Sequence, residues 1–576
     1  MSVETPSETG DETSEATSSE SPAPSRRSRV SRFSTSEKAT ESETSPATAG
    51  KIRSGQDDPE PATRGGWARL MPRLVLAVAA GLGLALAFPP FGWAWLAPFA
   101  PAALTWLILG VPRARTGALI GFLFGLGFFG LLLKWVALTG ADGWAAVVVI
   151  ESLFLAGWGA AATVVVRHRW WPLWVSALWI GVEYARSHTP LGGFPWGRVA
   201  GALDSTPMAS LAWLGGLWFV SFVAVFAGNL LLWAVVRPRR RRRFRLAAVL
   251  GVTALLLGGW LVPLPSMDDK TEGSDTVAII QGTVPGRGVD FLGEARAVTY
   301  NHLEATQQLM EDVDSGRYHQ LDWVLWPENS TDHDPTKDQM ARDMVQSAAD
   351  LTQVPILVGA VMDAPVRPDI YRQTAGIVWD PETGPGQTYA KRHPVPFGEY
   401  IPFREQLLPH IDRLQMVGRD TYPGDEPGNM RIAGTELGLV ICFEIAYDEV
   451  VADVARSDRN SMLVVQSNNA TWQGLGMAEQ QFAITRMRAI EYGRATLVAT
   501  PSGISGVIGP DGEVEHKTEE SVRDIYVTEV PKRTERTPAA VVGPAPELAV
   551  VALGAGALLA LAAPGVVGWF TRRRNR

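Results

Sequence analysis

The sequence predicts a polytopic α-helical membrane domain of about eight helices, combined with an α/β domain whose sheets stack into a sandwich. Long apolar stretches fill much of the chain between positions 74 and 262, and another lies near its end. A bilayer core requires about 20 mostly apolar residues per crossing. The polar segment between them alternates short β-rich runs with helix-like stretches, which is typical of α/β layers. The 576-residue chain is therefore expected to combine a membrane part with an α/β part.

Changes in composition divide the chain into four predicted segments. Residues 1–66 are rich in Ser, Thr, Glu and Pro, cannot bury enough apolar surface to fold, and are expected to be a disordered cytoplasmic tail. Residues 67–265 form the membrane domain, 266–546 the α/β domain, and 547–576 a final membrane helix with a basic cytoplasmic tail. No cleavable signal peptide is expected, because the first apolar stretch begins late and others follow it directly. The predicted crossings are 74–89, 92–109, 119–135, 144–166, 171–184, 208–236, 246–262 and 548–570.

The basic residues between these stretches predict their orientation, because cytoplasmic loops carry an excess of Lys and Arg. Every second loop is basic, as shown by Arg113 with Arg115, Arg167 with Arg169, the run at 237–245 and the terminal 572–574. These loops are assigned to the cytoplasm, which places residues 267–546 on the outer face of the cell membrane. The arginine run is explained by topology and by anionic lipid headgroups, so no nucleic-acid partner is expected. The net charge of -8 averages over unlike regions and indicates no partner.

The pattern within the outer segment predicts strands, helices and one hairpin. The hairpin is expected at 503–513, because Pro510-Asp511-Gly512 is a strong turn signal. With one cysteine in the chain, no intrachain disulfide can form, so the fold must rely on its core. The predicted strands are 276–281, 323–326, 356–361, 375–379, 437–441, 462–466 and 495–500, and the predicted helices are 294–313, 337–351 and 476–492.

Three candidate reactive groups follow predicted strands or lie in the loops beyond them. Glu328 comes just after the second strand, Lys391 lies in a proline-rich loop, and Cys442 ends the strand 437–441. A carboxylate that takes the thiol proton, an ammonium that stabilises an oxyanion and a thiolate that attacks are the groups that acyl transfer needs. Each also has a simpler interpretation, namely a surface carboxylate, a solvated loop charge and a small buried hydrophobe.

The order Glu, Lys, Cys and its flanking sequences resemble the nitrilase or carbon-nitrogen hydrolase superfamily. Joined to the membrane helices, the chain from about position 74 to its end resembles the apolipoprotein N-acyltransferase family. The resemblance implies a nitrilase-like α-β-β-α sandwich for the outer domain. Its most specific strings are Phe397-Gly398-Glu399-Tyr400, Ile441-Cys442-Phe443-Glu444 and Gly193-Phe194-Pro195-Trp196.

This resemblance implies roles for individual residues. Glu328 would be the general base, Lys391 the oxyanion stabiliser and Cys442 the nucleophile. Glu399 and Glu444 would be supporting carboxylates near the thiol.

Two further sequence features are interpreted through the same resemblance. Phe443 stands where the family often has tyrosine, so an aromatic wall is kept and a hydroxyl is lost. The segment Arg488-Ala489-Ile490-Glu491 resembles the helix that packs behind the site in the family.

The implied reaction moves an acyl chain from a phospholipid to the N-terminal α-amino group of a diacylglyceryl-cysteine apolipoprotein. It would proceed by a ping-pong mechanism through a cysteine thioester, as the last step of lipoprotein maturation. The partners would be the phospholipid donor, the apolipoprotein acceptor and the bilayer. No cofactor or metal is expected, since the sequence contains no Gly-rich phosphate loop or His/Cys cluster.

Three other hypotheses remain open at the level of sequence. A membrane-tethered amidase would use the same three residues and let water resolve the acyl-enzyme. A Cys/His hydrolase would use His393 as its base, and a polytopic sensor or transporter would not be an enzyme.

Ionisable residues inside the apolar stretches also need an explanation. Glu183 and Arg186 are either functional residues or an ion pair that anchors the end of their helix. Glu151 has no explanation from the sequence.

Overall fold

The computed structural model describes residues 64–236, 242–284, 286, 296–411, 414–415 and 417–574. Most of the predicted tail therefore lies outside the described residues, as do positions 237–241 of the arginine run and the first residues of the helix predicted from position 294. Residues 64–66, which we assigned to the tail, belong to the first helix instead.

The N-terminal part is helical, as its apolar composition predicts. The predicted crossing 208–236 is interrupted, because a 3-10 turn and a short helix precede the long helix and the chain bends at Gly216, with φ +84°. A Cβ atom at Gly216 would lie 2.6 Å from the Glu491 Oε1 atom, so this close approach requires glycine. The helices are α1 Arg64–Leu86, α2 Leu96–Ile108, α3 Ala114–Leu132, α4 Ala141–Val165, α5 Trp171–His188, α6 Ala212–Gly215, α7 Leu217–Val236 and α8 Arg242–Leu257.

Small residues let α3 and α4 pack closely. A Cβ atom at Gly121 would lie 2.1 Å from the Leu155 carbonyl oxygen, and one at Gly159 would lie 2.2 Å from the Gly117 carbonyl oxygen. Such close backbone contact gives favourable van der Waals packing. Helices in a membrane depend on this packing, because lipid tails are as apolar as the side chains and the hydrophobic effect does not favour helix association there.

The α/β part contains the predicted sandwich. In the described residues, the first sheet has the strand order β13-β1-β2-β3-β4-β5, with β6 paired to β4, and the second has the order β12-β11-β10-β9-β8-β7. The strands are β1 Ser274–Gln281, β2 Trp323–Leu325, β3 Ile356–Asp363, β4 Tyr371–Asp380, β5 Gly384–Ala390, β6 Asp420–Thr421, β7 Asn429–Ile432, β8 Thr435–Ile441, β9 Leu463–Gln466, β10 Thr496–Ala499, β11 Gly506–Ile508, β12 Val514–Lys517 and β13 Asp524–Pro531.

Helices cover both outer faces of the paired sheets. The helices Ala297–Asp314 and Gln339–Thr352 pack on β1 and β4 of the first sheet. The helices Asp448–Ala455 and Met477–Tyr492 pack on β8 and β10 of the second. The Gln466 amide crosses between the sheets and donates to the Trp326 carbonyl oxygen at 2.7 Å. This is an α-β-β-α sandwich. Its helices, followed by the last helix of the chain, are α9 Ala297–Asp314, α10 Gln339–Thr352, α11 Arg404–Leu407, α12 Asp448–Ala455, α13 Met477–Tyr492, α14 Pro538–Val542 and α15 Ala545–Arg574.

Five helical segments in the described part of the chain are long and apolar enough to cross a membrane, by length and composition. Two shorter apolar helices, Leu70–Leu86 and Leu96–Ile108, coincide with the first two predicted crossings. The predicted fifth crossing is the 18-residue α5 and is not among these segments. The five are Ala114–Leu132, Ala141–Val165, Leu217–Val236, Arg243–Leu261 and Ala545–Ala563.

All seven predicted strands are present, and the predicted hairpin is formed by β11 and β12. The prediction missed β5, β6, β7 and β13. The strand β5 begins with Gly384-Pro385-Gly386, a composition that favours a turn. Five of its seven residues nevertheless pair with β4, so tertiary pairing overrides local preference there.

Candidate active site

The three predicted reactive groups converge at the ends of strands from both sheets. Glu328 follows β2, Lys391 follows β5 directly, and Cys442 follows β8 directly. All three are buried, with 3%, 1% and 7% of their surface exposed. The Lys391 Nζ atom lies 3.4 Å from the Glu328 Oε1 atom, and the Glu328 carboxylate and the Cys442 thiol lie close enough for each to shift the pKa of the other. A base, a cation and a thiol therefore share one buried site.

The backbone at the cysteine is strained. Cys442 has φ +56°, a left-handed conformation that residues with side chains rarely adopt. It begins a 3-10 turn, Cys442–Ala446, immediately after β8. This sharp turn at the end of the strand presents the thiol to Glu328 and Lys391, and such strain is frequent at functional sites.

Glu399 contacts the reactive groups directly. Its carboxylate lies 2.9 Å from the Lys391 Nζ atom and accepts a 2.7 Å hydrogen bond from the Val395 amide. Lys391 is therefore held between two carboxylates, Glu328 and Glu399. The supporting role of Glu399 stays a prediction.

Glu444 acts at the backbone around the site. The carboxylate accepts hydrogen bonds from the Ile441 amide at 2.8 Å, the Tyr389 hydroxyl at 2.9 Å, the Arg392 amide at 2.7 Å and the His393 amide at 3.0 Å. It therefore ties the residue before the thiol to the segment that carries Lys391. Its support is structural, because it fixes the spacing of these two segments.

The His393 ring packs against another aromatic ring. The centroids of His393 and Tyr447 are 4.6 Å apart, while the carboxylate that contacts the thiol is that of Glu328. This geometry favours Glu328 over His393 as the base.

Burial dominates the protonation of the site. Burial raises the pKa of Glu328 to about 7. The Lys391 ammonium opposes this shift, and the charge of Glu399 adds to it. Burial, helped by the charge of Glu328, raises the pKa of the Cys442 thiol to about 12. Burial alone would lower the pKa of Lys391, but Glu399 and Glu328 hold it well above its usual value. The resting site therefore holds a neutral thiol, an ammonium and a carboxyl that can accept a proton near neutral pH.

An aromatic wall connects the site to the membrane part. Phe443 stacks on Trp196 with ring centroids 5.0 Å apart and an interplanar angle of 12°, and the ring centroid of Phe194 lies 5.5 Å from that of Phe443. Trp196 also contacts Trp135 at 5.7 Å and donates a 2.7 Å hydrogen bond to Gln480 of α13. The loop between α5 and α6 therefore lines the site on the side of Phe443.

The structure explains the ionisable residues of α4 and α5. The Arg186 guanidinium lies 2.9 Å from the Glu151 carboxylate, and both side chains are 2% exposed. Arg186 also donates to the carbonyl oxygens of Phe194 and Trp196. Glu183 accepts separately from Trp179 and from the Val199 amide, each at 2.9 Å. The ion pair is therefore Glu151 with Arg186, and it holds the aromatic loop.

The sequence analysis missed Ser467, which lies beside the thiol, and Asp448, which follows the turn after Cys442. Ser467 follows β9, which pairs in parallel with β8, and its hydroxyl lowers the pKa of the Cys442 thiol. Asp448 begins α12 and pairs with Arg198 and Arg488, each at 2.6 Å. The position of Ser467 after the predicted strand 462–466 was a usable signal. The described residues contain no group of three or more His, Cys, Asp or Glu side chains that could hold a metal.

A buried Glu, Lys and Cys at the strand ends of an α-β-β-α sandwich define the class of carbon-nitrogen hydrolases. The Carbon-nitrogen hydrolase family matches residues 276–539, and the Apolipoprotein N-acyltransferase N-terminal domain matches residues 80–230. The chain belongs to the apolipoprotein N-acyltransferase family.

Curated relatives carry that family name. One from Mycolicibacterium smegmatis is 36% identical over 84% of this chain and 84% of its own. One from Ralstonia nicotianae is 30% identical over 86% of this chain and 94% of its own. Among solved structures, an amidase from Nesterenkonia sp. is similar over 47% of this chain and 94% of its own, with 16% identity and a TM-score of 0.33.

Proposed function

We propose that this protein transfers an acyl chain from a phospholipid to the N-terminal α-amino group of a diacylglyceryl-cysteine apolipoprotein. The observation that carries the proposal is the buried contact of Lys391 with Glu328, and of Glu328 with Cys442, beside an aromatic wall from the membrane part. The names of the curated relatives support the same reaction.

The first half-reaction follows from the contacts in the site. The Cys442 Sγ atom attacks the ester carbonyl carbon of the phospholipid while Glu328 takes the thiol proton. The Lys391 ammonium stabilises the oxyanion of the tetrahedral intermediate. The C–O bond then breaks, the alkoxide of the lysophospholipid takes the proton from Glu328, and Cys442 carries a thioester.

The second half-reaction reverses these roles. The lipoprotein amine attacks the thioester carbonyl carbon and loses a proton to Glu328. The C–S bond breaks, the amide product leaves, and the Cys442 sulfur takes the proton back. No metal or cofactor takes part in this scheme.

The proposed topology places both substrates at the site. Seven helices within 67–265 and one within 547–576 would cross the plasma membrane, with the tail 1–66 in the cytoplasm and the catalytic domain 266–546 outside. The basic loops support this orientation. Phospholipid and apolipoprotein would then approach from the outer leaflet, and no nucleic acid is involved.

Intact-mass analysis after incubation with phospholipid tests the proposal. The native protein is expected to gain an acyl mass that hydroxylamine removes, and Cys442→Ala is expected to gain none. Discharge onto a diacylglyceryl peptide establishes the transferase, whereas discharge onto water would favour the amidase. An unmodified native protein under every lipid condition would contradict both.

A further inference from the structure

Ser467 lies beside the proposed nucleophile because of the register of the second sheet. The strands β8 and β9 run in parallel with Ile441 opposite Gln466, so the next residue on each strand, Cys442 and Ser467, emerges at the same edge. Ser467 is 1% exposed, and its hydroxyl lies close enough to the Cys442 thiol to lower the pKa of that thiol.

The Ser467 hydroxyl proton is weakly held by its other neighbours. The Ser467 Oγ atom lies 3.2 Å from the Gln481 Oε1 atom and 3.4 Å from the Asn469 Oδ1 atom, whereas hydroxyl donors prefer about 2.7–2.8 Å. Gln481 already accepts a 2.7 Å hydrogen bond from the Asn469 amide. A forming thiolate would therefore compete well for this proton.

The thiolate needs such a donor. Cys442 is surrounded by the carboxylates of Glu328 and Glu399 and by the Lys391 ammonium, and Lys391 is engaged with both carboxylates. Burial and the charge of Glu328 raise the pKa of the thiol, whereas the Lys391 ammonium and the Ser467 hydroxyl lower it.

We propose that Ser467 is a catalytic residue whose hydroxyl donates a hydrogen bond to the Cys442 thiolate as Glu328 removes the proton. When the sulfur becomes a thioester and a poor acceptor, the hydroxyl turns to Gln481. This proposal rests on the nucleophile of the proposed function, and it requires no further reactant because no bond to Ser467 forms or breaks.

Alkylation of the full-length protein by iodoacetamide provides a test that needs no lipid. Cys442 is the sole cysteine in the chain, so intact mass reports its reaction alone. Between pH 7 and 9, Ser467→Ala is expected to react about tenfold more slowly than the native protein at each pH, since hydrogen bonds to charged groups are strong. Ser467→Thr keeps the hydroxyl and is expected to react at close to the native rate.

Ser461→Ala is the matched control. Ser461 lies just before β9 at its other end and donates to the Glu436 carbonyl oxygen at 3.1 Å, so its loss is expected to leave the rate unchanged. A native rate in Ser467→Ala, or equal slowing in Ser461→Ala, would overturn the proposal.

A second variant covers the case in which Ser467→Ala does not fold. Gln481→Met removes the competing acceptor and is expected to speed alkylation, whereas slower alkylation would count against the role of Ser467. Because a lipid-derived thioester is scored separately, loss of the proposed function and loss of this inference give different results.

Discussion

At the scale of single residues, the reactivity of the Cys442 thiol depends on a neighbouring group that can take its proton. Glu328 has a pKa of about 7 and Cys442 one of about 12, so a free thiolate is unfavourable at neutral pH. In the proposed mechanism, proton transfer must therefore accompany attack on the carbonyl carbon, and the base must touch the thiol.

Replacing the base with its amide should abolish this coupled step. Glu328→Gln keeps the shape of the side chain and is expected to slow thioester formation by about 10²- to 10⁴-fold. The measurement is the rate of acyl-mass gain. Glu449→Gln, a change at an exposed carboxylate on the neighbouring helix, should leave the rate unchanged, and a similar loss in both variants would argue against the assignment.

The raised pKa of Glu328 also predicts a pH dependence. The base acts in its ionised form, so thioester formation is expected to fall about tenfold per pH unit below about 7 and to level off above it. The effect of pH on stability runs the other way, because the folded protein holds the Glu328 proton more tightly than the unfolded chain does. The contribution of Glu328 to the free energy of unfolding should therefore fall as pH rises from 4.5 to about 7. An acid limb near pH 4.5 would contradict the raised pKa.

At the scale of elements, two buried carboxylates hold segments in place. Glu444 joins the end of β8 to the end of β5 through four hydrogen bonds. In Glu444→Gln, the new side-chain NH2 group is a donor and cannot accept hydrogen bonds from the groups that now donate to Glu444. The free energy of unfolding should therefore fall by about 1–3 kcal/mol. Thermal unfolding measures this cost. Glu436→Gln is a matched change on β8, and an equal loss there would contradict the role of Glu444.

The pair of Glu151 and Arg186 predicts a second effect at this scale. Glu151→Gln leaves Arg186 buried without its countercharge and is expected to cost about 3–5 kcal/mol. It should also slow thioester formation, because Arg186 holds the carbonyl oxygens of Phe194 and Trp196. The double variant Glu151→Gln with Arg186→Met should regain stability in detergent. No recovery would mean that the pair is not the source of the loss.

At the scale of the whole molecule, a charged network joins the membrane part to the turn that begins at Cys442. Arg198 lies 2.6 Å from Asp448, and Arg488 of α13 contacts the same carboxylate. Arg488 also donates to the carbonyl oxygens of Ile445 and Ala446, each at 3.1 Å. The two arginines hold the pKa of Asp448 below its usual value despite its burial.

This network predicts energetic coupling between the two parts of the chain. A double-mutant cycle of Arg198→Met and Asp448→Asn is expected to give an interaction free energy of about 0.5–3 kcal/mol in thermal or chemical unfolding. Additive effects would mean that the contact does not couple the parts. Arg392→Met with Asp453→Asn removes a more exposed pair of the α/β part and should show weaker coupling.

Much of the molecule was predictable because its signals are local. Apolar length located the helices of the N-terminal part, alternating runs identified seven strands, and the end of a buried strand marked Cys442. The strand β5 was missed because its pairing with β4 outweighs its Gly-Pro-Gly start. Glu444 was placed near the thiol by resemblance, but its hydrogen-bond partners could not be read from its own neighbourhood.

By itself, the sequence determined the two structural classes and the order of seven strands along the chain, and it predicted Glu328, Lys391 and Cys442 as the reactive groups, since composition, periodicity and motif spacing are properties of neighbouring residues. Only the tertiary structure decided the position of Ser467 beside the thiol and the pairing of Arg186 with Glu151. Those contacts depend on strand register and helix packing, which bring together side chains that are 35 positions apart in the case of the ion pair.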